Sequence, residues 1–427
     1  MALAGLIIFP LITTIAFAYQ EYTRTQMANM FIVLIAKFDG PEPEKYRVTE
    51  TVLTRLRTTL KPYEKVVVMT LDRTITAIEG SEEARAEGKK HSASIVIWGW
   101  YGATEKVVPV SINFEILCPL KCAPELKTEV QGEIRRIEAA EIENLNFQLE
   151  LSDEMAFLSL FTVGLFRFSD EDWSEAIVSF TDALNQTKHK EATREVYRYR
   201  GLAYINQKKY DLALADLSQA LQLDPNYAAA YSDIATLYAL QGDFDHAIDD
   251  ASKAIELNPN GASYYHNRGV FYAEAKHEYE IAISDFDKAI ELKPDDPSYY
   301  RERGMAFYWI GDYDSALTDF DRAISLYEKE QTSRHADDFK EEFARAHVYR
   351  GAIFDARGKY SLALNEYSIA INLKPDYANA YHGRAAVYSH IDDRVHAIED
   401  LRKAIKFSTD PNRLQQMEKE LKALLGS

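Results

Sequence analysis

YDLALADLSQALQLDP, from Tyr210 to Pro225, decides the fold of most of the chain because it recurs downstream. Four of its positions reappear 34 residues on, and only the second changes type: Ala213, Leu217, Ala220 and Pro225 correspond to Ala247, Ala251, Ala254 and Pro259. A fixed period of this length is typical of a repeat architecture. The period predicts a fold and points to no reaction, so we expect binding and scaffolding.

The composition excludes several classes of function. With 427 residues, 27% charged and 47% hydrophobic, the chain is globular and long enough for two or three domains. Its net charge of -18 repels phosphate backbones, so we expect no nucleic-acid partner. Cys118 and Cys122 cannot supply the four ligands of a structural zinc site. A disulfide and two free thiols both stay open for this pair.

The amino-terminal segment predicts membrane association or export. Residues 2–18 contain no charge and match the shorter spans that cross about 30 Å of hydrocarbon. A retained transmembrane helix is one interpretation. A cleaved signal peptide is the other, because Ala16, Phe17 and Ala18 form an A-x-A pattern. We therefore assign residues 1–25 to an anchor or signal segment.

Short β-branched runs then alternate with helical patterns. The predicted strands are Phe31 to Phe38, Lys65 to Leu71, Ala93 to Gly102 and Val107 to Leu117, with helices over Val48 to Leu60 and Ser81 to Lys90. The order is βαβαββ, which predicts a small α/β domain over residues 26–125. The charged segment 126–150 is predicted to be a linker helix.

This α/β segment resembles the amino-terminal domain of TolB-like proteins over residues 30–117. The likeness rests on FIVLIAKF, the helix after it and SIVIWGWYG. It implies a location outside the cytoplasm and contacts with envelope proteins or lipids. DGPEPEK follows the first strand in place of a glycine-rich phosphate loop, so we expect no nucleotide and no cofactor.

The repeat copies align on the alanine that opens each second helix: Ala176, Ala213, Ala247, Ala282, Ala316, Ala363 and Ala397. We number the copies one to seven in this order. They resemble the tetratricopeptide repeat, which implies a right-handed superhelix of about seven antiparallel helix pairs over residues 151–427. Glycines such as Gly201, Gly269, Gly304 and Gly351 let paired helices approach closely. Residues 412–425 form the predicted capping helix. The predicted fold class is α + α/β.

Departures from the period predict local irregularities. Copy one lacks the closing proline, as expected of a terminal repeat that contacts only one neighbour. Copy four has one extra residue near Lys276 to Tyr279. The 47-residue gap after Ala316 predicts longer helices there.

A second pattern concerns charge. An arginine precedes the small residue of the first helix, and an acid precedes the large residue of the second helix: Arg200 with Asp216, Arg268 with Asp285, Arg303 with Asp319, Arg350 with Glu366, and Arg384 with Asp400. Copies one and three break the pattern, with Val163 and Ser179, and with Ile234 and Asp250. We hypothesise an ionic ladder that fixes the register of the stack. The alternative is a row of solvated charges contributing under about 1 kcal/mol each.

The resemblance also implies a concave groove lined by the first helices. Its predicted partner-binding residues are Arg198, Asn206, Thr236, His266, Glu274, Arg301, Tyr308, Trp309, Asp355 and His382, with Leu240 and His390 at further positions. Trp309 with Tyr308 and Arg301 is a candidate hot spot. Alternatively, Trp309 packs under the long connection after copy five. The histidines belong to different repeats, so no metal site is expected.

These features favour a non-enzymatic adaptor that is membrane-anchored and binds protein segments in the repeat groove. A sensory or regulatory subunit is the alternative, in which the α/β domain binds a small ligand. An enzyme comes third, because the sequence contains no nucleophile elbow, metal triad or phosphate loop.

Overall fold

The computed structural model describes residues 31–38, 48–63, 66–75, 80–91, 93–101, 107–116, 129–131, 135–138, 145–186, 193–330 and 340–426. The predicted anchor or signal segment lies outside these residues, as do Cys118 and Cys122. Within the described ranges no helix combines the length and apolarity needed to cross a bilayer. The fold has two compact units that divide between Pro225 and Asn226.

The first unit begins with a small sheet. Its first four strands are β1 (Phe31–Lys37), β2 (Val66–Thr74), β3 (Ile95–Tyr101) and β4 (Val107–Ile116), with helices α1 (Val48–Leu60) and α2 (Gly80–Lys90) between the first three. β1 pairs in parallel with β2 and β3, and β4 is antiparallel to β3. These bounds agree with the predicted strands and helices to within three residues.

The predicted linker helix over residues 126–150 is wrong. Two short strands, β5 (Glu129–Gln131) and β6 (Arg135–Glu138), occupy part of that segment, and both pair antiparallel with β4. Without them the outer edge of β4 would present unpaired N–H and C=O groups. The sheet therefore extends past the predicted domain boundary at residue 125, and the next helix, α3 (Leu145–Ser169), begins only at Leu145.

Side chains of β1 alternate between two cores because successive residues point to opposite faces of a sheet. Ile32 and Leu34 are fully buried with Trp98 and with Ala84 of α2. Trp98 therefore packs in a core that also includes a helix, as is usual for a large aromatic side chain on a sheet.

The opposite face of β1 joins the sheet to the repeats. Val33 and Ile35 belong to one core with Leu56 of α1 and with Phe157 and Phe161 of α3. Helix α3 is the first helix of copy one, which was expected to contact only one neighbour. That expectation is wrong, because α3 also packs on α1. A long helix with apolar residues on several sides needs partners on both faces.

The remaining helices follow one another in pairs. They are α4 (Trp173–Gln186), α5 (Arg194–Asn206), α6 (Tyr210–Leu223), α7 (Ala228–Leu240), α8 (Phe244–Leu257), α9 (Ala262–Phe271), α10 (Tyr279–Leu292), α11 (Pro297–Ile310), α12 (Tyr313–Glu330), α13 (Lys340–Ala356), α14 (Tyr360–Leu373), α15 (Ala378–His390), α16 (Arg394–Phe407) and α17 (Pro411–Gly426). Each copy pairs two consecutive helices, beginning with α3 and α4.

Both irregularities predicted from the spacing have a structural counterpart. Helix α12 has 18 residues and α13 has 17, against 13 or 14 for most of their neighbours, which accounts for part of the long gap after copy five. The extra residue of copy four is absorbed by a π-helical turn over Tyr272–Lys276, directly after α9. His277 then takes a left-handed conformation with φ of 54° before α10 begins.

Helix α17 ends the second unit in the position predicted for the cap. Met417 is buried in a core with Tyr381 and Leu401, and Leu424 packs at its margin. More than half of the side chain of Leu425, next along the helix, is exposed. The helix is therefore attached chiefly through Met417.

Candidate functional site

The five predicted arginine and acid pairs all form two-armed ion pairs. In each, Nε and Nη2 of the arginine donate to the two carboxylate oxygens over 2.7–3.0 Å: Arg200 to Asp216, Arg268 to Asp285, Arg303 to Asp319, Arg350 to Glu366, and Arg384 to Asp400. This fork matches the planar guanidinium to the planar carboxylate. Each fork joins the two helices of one copy.

A third arm, which the sequence pattern did not predict, connects successive copies. Nη1 of each arginine donates to a residue of the preceding copy's second helix: Thr181, Ser252, Asp287, Asp321 or Ser368, at 3.0, 3.1, 2.5, 2.6 and 3.0 Å. This acceptor directly follows the position of the large residue of that helix, which is alanine only in copy three, at Ala251. The five arginines with their acids and acceptors are called the arginine ladder below.

In copy four the fork keeps its geometry although the spacing between its two residues differs. Four of the pairs are 16 residues apart, whereas Arg268 and Asp285 are 17 apart. The additional residue lies between them, in the segment that contains the π-helical turn. Such a turn accommodates one residue without moving the flanking helix, so the distances of this fork equal those of the others.

Burial and charge act against each other in the ladder. The hydrogen bonds that Arg268 donates to Asp285 raise the pKa of the arginine because they favour its charged form. Burial raises the pKa of Asp319 and outweighs its fork from Arg303. Burial would also raise the pKa of Glu366, but His347 and Arg350 overcome it and lower the pKa. Nδ1 of His347 lies 2.7 Å from Oε2 of Glu366, which gives this acid one more partner than the rest.

Copies one and three have no such fork. In copy one, the hydroxyl of the buried Ser179 donates to the carbonyl of Glu175 in its own helix. In copy three, buried Ile234 stands in the place of the arginine. Burial and the neighbouring Asp249 raise the pKa of Asp250, whose counterparts are paired.

Several of the predicted groove residues make local contacts within their own unit. Arg198 and Asn206 belong to the first unit, where Asn206 donates to the carbonyl of Leu202 in its own helix. Thr236, in the second unit, likewise donates to the carbonyl of Ser232. Asp355 is bound to His390, whose Nδ1 lies 2.8 Å from its carboxylate. These polar side chains are therefore engaged in hydrogen bonds within their own helix or with a neighbouring helix.

Copy four and copy five carry buried polar groups where exposed ones were expected. The side chain of His266 packs against Tyr299 and Phe286, and burial lowers its pKa. Arg301 is only 5% exposed and forms ion pairs with Glu302 and Glu342. Its assignment as a surface hot spot is therefore wrong. The buried guanidinium group of Arg301 is compensated by these two carboxylates.

Glu274 lies in the π-helical turn at the exposed end of copy four's first helix. Partial desolvation, followed by the nearby carboxylate of Glu302, raises its pKa. The carboxyl group therefore takes up a proton more readily than an ordinary surface glutamate.

An open cavity of about 800 Å³ lies in the second unit, between the first helices of copies five to seven and α17. Its aromatic lining includes Tyr308, Trp309, Tyr349 and Tyr377. We call this cavity the carboxyl-terminal groove. Of the predicted residues it brings together Tyr308, Trp309 and His382, and it excludes Arg301.

Trp309 is the most exposed large aromatic residue of the groove, at 56%. Its ring is stacked on Tyr279 with centroids 6.5 Å apart, and Tyr308 meets it edge-on at 5.3 Å. Tyr349 extends the aromatic surface through an edge contact with Tyr308 at 5.3 Å. The residues of the connection expected to cover Trp309, 331–339, lie outside the described ranges.

Comparisons with known proteins agree with the repeat architecture. Models of the tetratricopeptide repeat match residues 195–227, 228–260, 272–331 and 351–390. No curated protein matches the chain. The chain therefore contains tetratricopeptide repeats.

Solved structures share the helical fold at low sequence identity. The hetero-tetramer Cut9-Hcn1 of the APC/C is 19% identical with a TM-score of 0.52, over 67% of this chain and 57% of that chain. A tetratricopeptide repeat protein from Parabacteroides merdae is 19% identical with a TM-score of 0.47, over 63% and 98%. YrrB, a repeat protein with an unusual peptide-binding site, is 23% identical with a TM-score of 0.36, over 48% and 97%.

Proposed function

We propose that this tetratricopeptide-repeat protein is a non-enzymatic adaptor that binds a peptide segment of a partner protein in the carboxyl-terminal groove. The observation that carries the proposal is the exposed, stacked side chain of Trp309 beside Tyr308 and Tyr349. Aromatic side chains in a concave surface dominate the energetics of protein recognition. Repeats of this kind bind protein or peptide partners, which supports the assignment.

The size of the groove fits a short segment. A volume of about 800 Å³ lies within the usual range of ligand clefts, about 300–1,000 Å³. That space takes a few side chains and no folded domain. An extended or singly turned segment therefore suits it, with one large side chain against Trp309.

Membrane attachment through residues 2–18 completes the proposal, with the repeats outside the cytoplasm and the sheet region available for a second contact. The uncharged segment supports it. Full-length protein should sediment with membranes, and protease added outside the cytoplasm should digest the repeats. Recovery in the soluble fraction of a chain shortened at its amino terminus would contradict anchoring and favour export after cleavage.

The groove is tested by selecting peptides from a random display library on the full-length protein. Peptides enriched on the wild type should bind Trp309→Ala at least tenfold more weakly, because hot-spot truncations cost about 2 kcal/mol or more. Leu362→Ala is the matched control, since it truncates another half-exposed apolar side chain outside the groove. If no peptide is enriched, or if Trp309→Ala binds them all equally well, the groove is not the binding site.

A further inference from the structure

We infer that the carboxyl-terminal groove selects acidic peptide segments, with carboxylates next to a large apolar side chain, and that helix α17 supplies part of this recognition. The inference rests on the proposed function and specifies the chemistry of its partner. It gives the terminal helix a role beyond closing the stack. Three features of the groove carry it: the wall formed by α17, the charge of the lining, and the position of the aromatic side chains.

Helix α17 forms one wall of the groove. Arg413 and Gln416 line it from this helix. The wall is fastened to α15 by polar contacts: Nη1 of Arg413 donates to Oδ1 of Asn379, and Nε2 of His382 lies 2.8 Å from Oε2 of Glu420. The buried side chain of Met417 packs the same helix against Tyr381 and Leu401. A purely solubilising cap has no need of these groove-side contacts.

The lining has the opposite charge to the chain as a whole. The net charge of the protein is -18, yet the charged residues lining the groove are Arg345, Arg413 and a single acid, Glu341. Lys374 already neutralises Glu341 through an ion pair, and this hydrogen bond lowers the pKa of the acid. The lining itself therefore carries two arginines against one paired acid, while Glu342 and Glu302 act on Arg345 from outside it.

Neither arginine forms a two-armed fork with a carboxylate among the contacts of the described residues. Arg345 lies 3.9 Å from Glu341, beyond hydrogen-bond length, and keeps a third of its side chain exposed. It hydrogen-bonds Tyr377, and the charges of Glu342 and Glu302 act on it, which leaves other N–H groups of its guanidinium open. Arg413 lies 3.6 Å from Asp410 and is 55% exposed. Arg301 makes an instructive contrast, because two acids hold it and it is buried. Arg345 and Arg413 thus keep N–H donors available to a ligand.

The combination specifies the partner. A guanidinium group binds a carboxylate through two parallel hydrogen bonds and prefers it to a neutral acceptor. The aromatic surface of Trp309, Tyr308 and Tyr349 takes an adjacent apolar side chain. A basic segment would meet like charge on two sides and is rejected. Carboxylates flanking an aromatic or large aliphatic residue satisfy both halves of the groove.

Peptide display on the full-length protein tests the inference with three baits: wild type, the double variant Arg345→Glu with Arg413→Glu, and the control Arg402→Glu. Arg402 is an exposed arginine of α16 that does not line the groove. Wild type and control should enrich peptides in which Asp or Glu neighbours an aromatic or large aliphatic residue. The double variant should lose these peptides and enrich basic ones.

A second measurement isolates the contribution of α17 without disturbing the buried half of the groove. Arg413→Gln should weaken binding of an enriched acidic peptide about fivefold to tenfold and make its affinity less sensitive to salt, because one screened charge pair is lost. Equal affinity and equal salt dependence would remove α17 from the recognition site.

The outcomes separate this inference from the proposed function. Enrichment of neutral or basic peptides on the wild type overturns the acidic specificity while peptide binding stands. Enrichment of the same acidic peptides on the double variant also overturns it. If no peptide is enriched on any bait, the proposed function fails and the inference fails with it.

Discussion

At the residue scale, Gly269 shows how closely the paired helices approach. A Cβ atom at this position would lie 2.8 Å from the ring of Phe286, whereas at Gly351 it would lie 3.2 Å from Tyr367. Gly269→Ala should therefore lower the free energy of unfolding by about 1–2 kcal/mol, because overpacking exceeds the gain in helix propensity. Gly351→Ala should change it by less than about 0.5 kcal/mol. Urea unfolding of both variants checks the order, and equal effects would contradict it.

His266 should make stability fall as the pH drops. Burial lowers its pKa in the folded protein, whereas the unfolded chain takes up a proton near the ordinary value of about 6.5. Because the unfolded state then binds more protons, the free energy of unfolding decreases below that pH, by at most about 1.4 kcal/mol per pH unit. His266→Phe removes this loss, so its urea midpoint should vary less than that of the wild type between pH 7.5 and roughly 5.5.

His246 is the control of opposite sign. Its hydrogen bond to Asp243 raises its pKa, so the folded state takes up a proton more readily than the unfolded state. That contribution is present at low pH and disappears as the pH rises through the folded pKa. His246→Gln should therefore lose stability at acidic pH relative to the wild type. A shift of the two variants in the same direction would refute the assignments.

At the element scale, the acceptor of the third arm differs between copies of the arginine ladder, and this difference predicts an effect on stability. The acceptor of the third arm is an acid at Asp287 and Asp321 and a hydroxyl at Ser368. Ser368→Asp should stabilise the protein by about 0.5–1 kcal/mol, because a charge-assisted hydrogen bond to Arg384 replaces a neutral one in a partly exposed site.

Ser389→Asp is the control for the ladder, since it introduces the same charge at an exposed position of α15 that is not an acceptor. It should give no gain in the free energy of unfolding. Conversely, Asp287→Ser should cost about as much as Ser368→Asp gains. High salt reduces both effects if they are electrostatic. Stabilisation by Ser389→Asp as large as that by Ser368→Asp would show that the ladder is not its source.

Short-range patterns predicted the elements, whereas contacts between elements escaped them. The alternation in FIVLIAKF and the helical spacing from Val48 to Leu60 were sufficient for β1 and α1. Residues 126–150 misled because charged residues suit a helix and an edge strand equally, and the deciding factor was the unpaired edge of β4. The third arm of the ladder depends on the helix of another copy, which no single period displays.

The candidate site was harder to predict than the fold. Family position placed Trp309, Tyr308 and His382 in the groove, and it also assigned Arg301, which Glu302 and Glu342 hold beneath the surface. Arg345 and Arg413 were missed. Arg345 lies in the extended helix of copy six, and Arg413 lies in the cap, so neither occupies a repeat position from which a groove residue is inferred.

At the scale of the whole fold, one core makes the sheet and the first repeats a single cooperative structure within the first unit. Leu56→Ala on α1 and Leu34→Ala on β1 remove equally buried side chains from the two faces of the sheet, each at a cost of about 2–5 kcal/mol. Leu56→Ala should accelerate amide hydrogen exchange in α3 and α4. Leu34→Ala should accelerate it mainly in β2 and α2.

Hydrogen exchange resolved by mass spectrometry distinguishes the two variants, because locally coupled segments open together. A hydrogen bond provides an independent check: the hydroxyl of Tyr63, just after α1, donates to the carboxylate of Asp182 in α4. Tyr63→Phe should reproduce a weaker form of the Leu56→Ala pattern. Unchanged exchange in α3 and α4 for both variants would mean that the sheet and the repeats open separately.

The third arm of the ladder has a consequence for how such a chain can grow by duplication. A copy with the arginine needs an acid within itself and an acceptor supplied by the copy before it, so its sequence is tied to its neighbour's. A copy moved to another position therefore keeps all its hydrogen bonds only where the preceding copy there also supplies an acceptor for the arginine. A copy that carries isoleucine there, as copy three does at Ile234, makes no demand on its predecessor and is the easier unit to insert. Lineages of this array should lengthen preferentially at such copies.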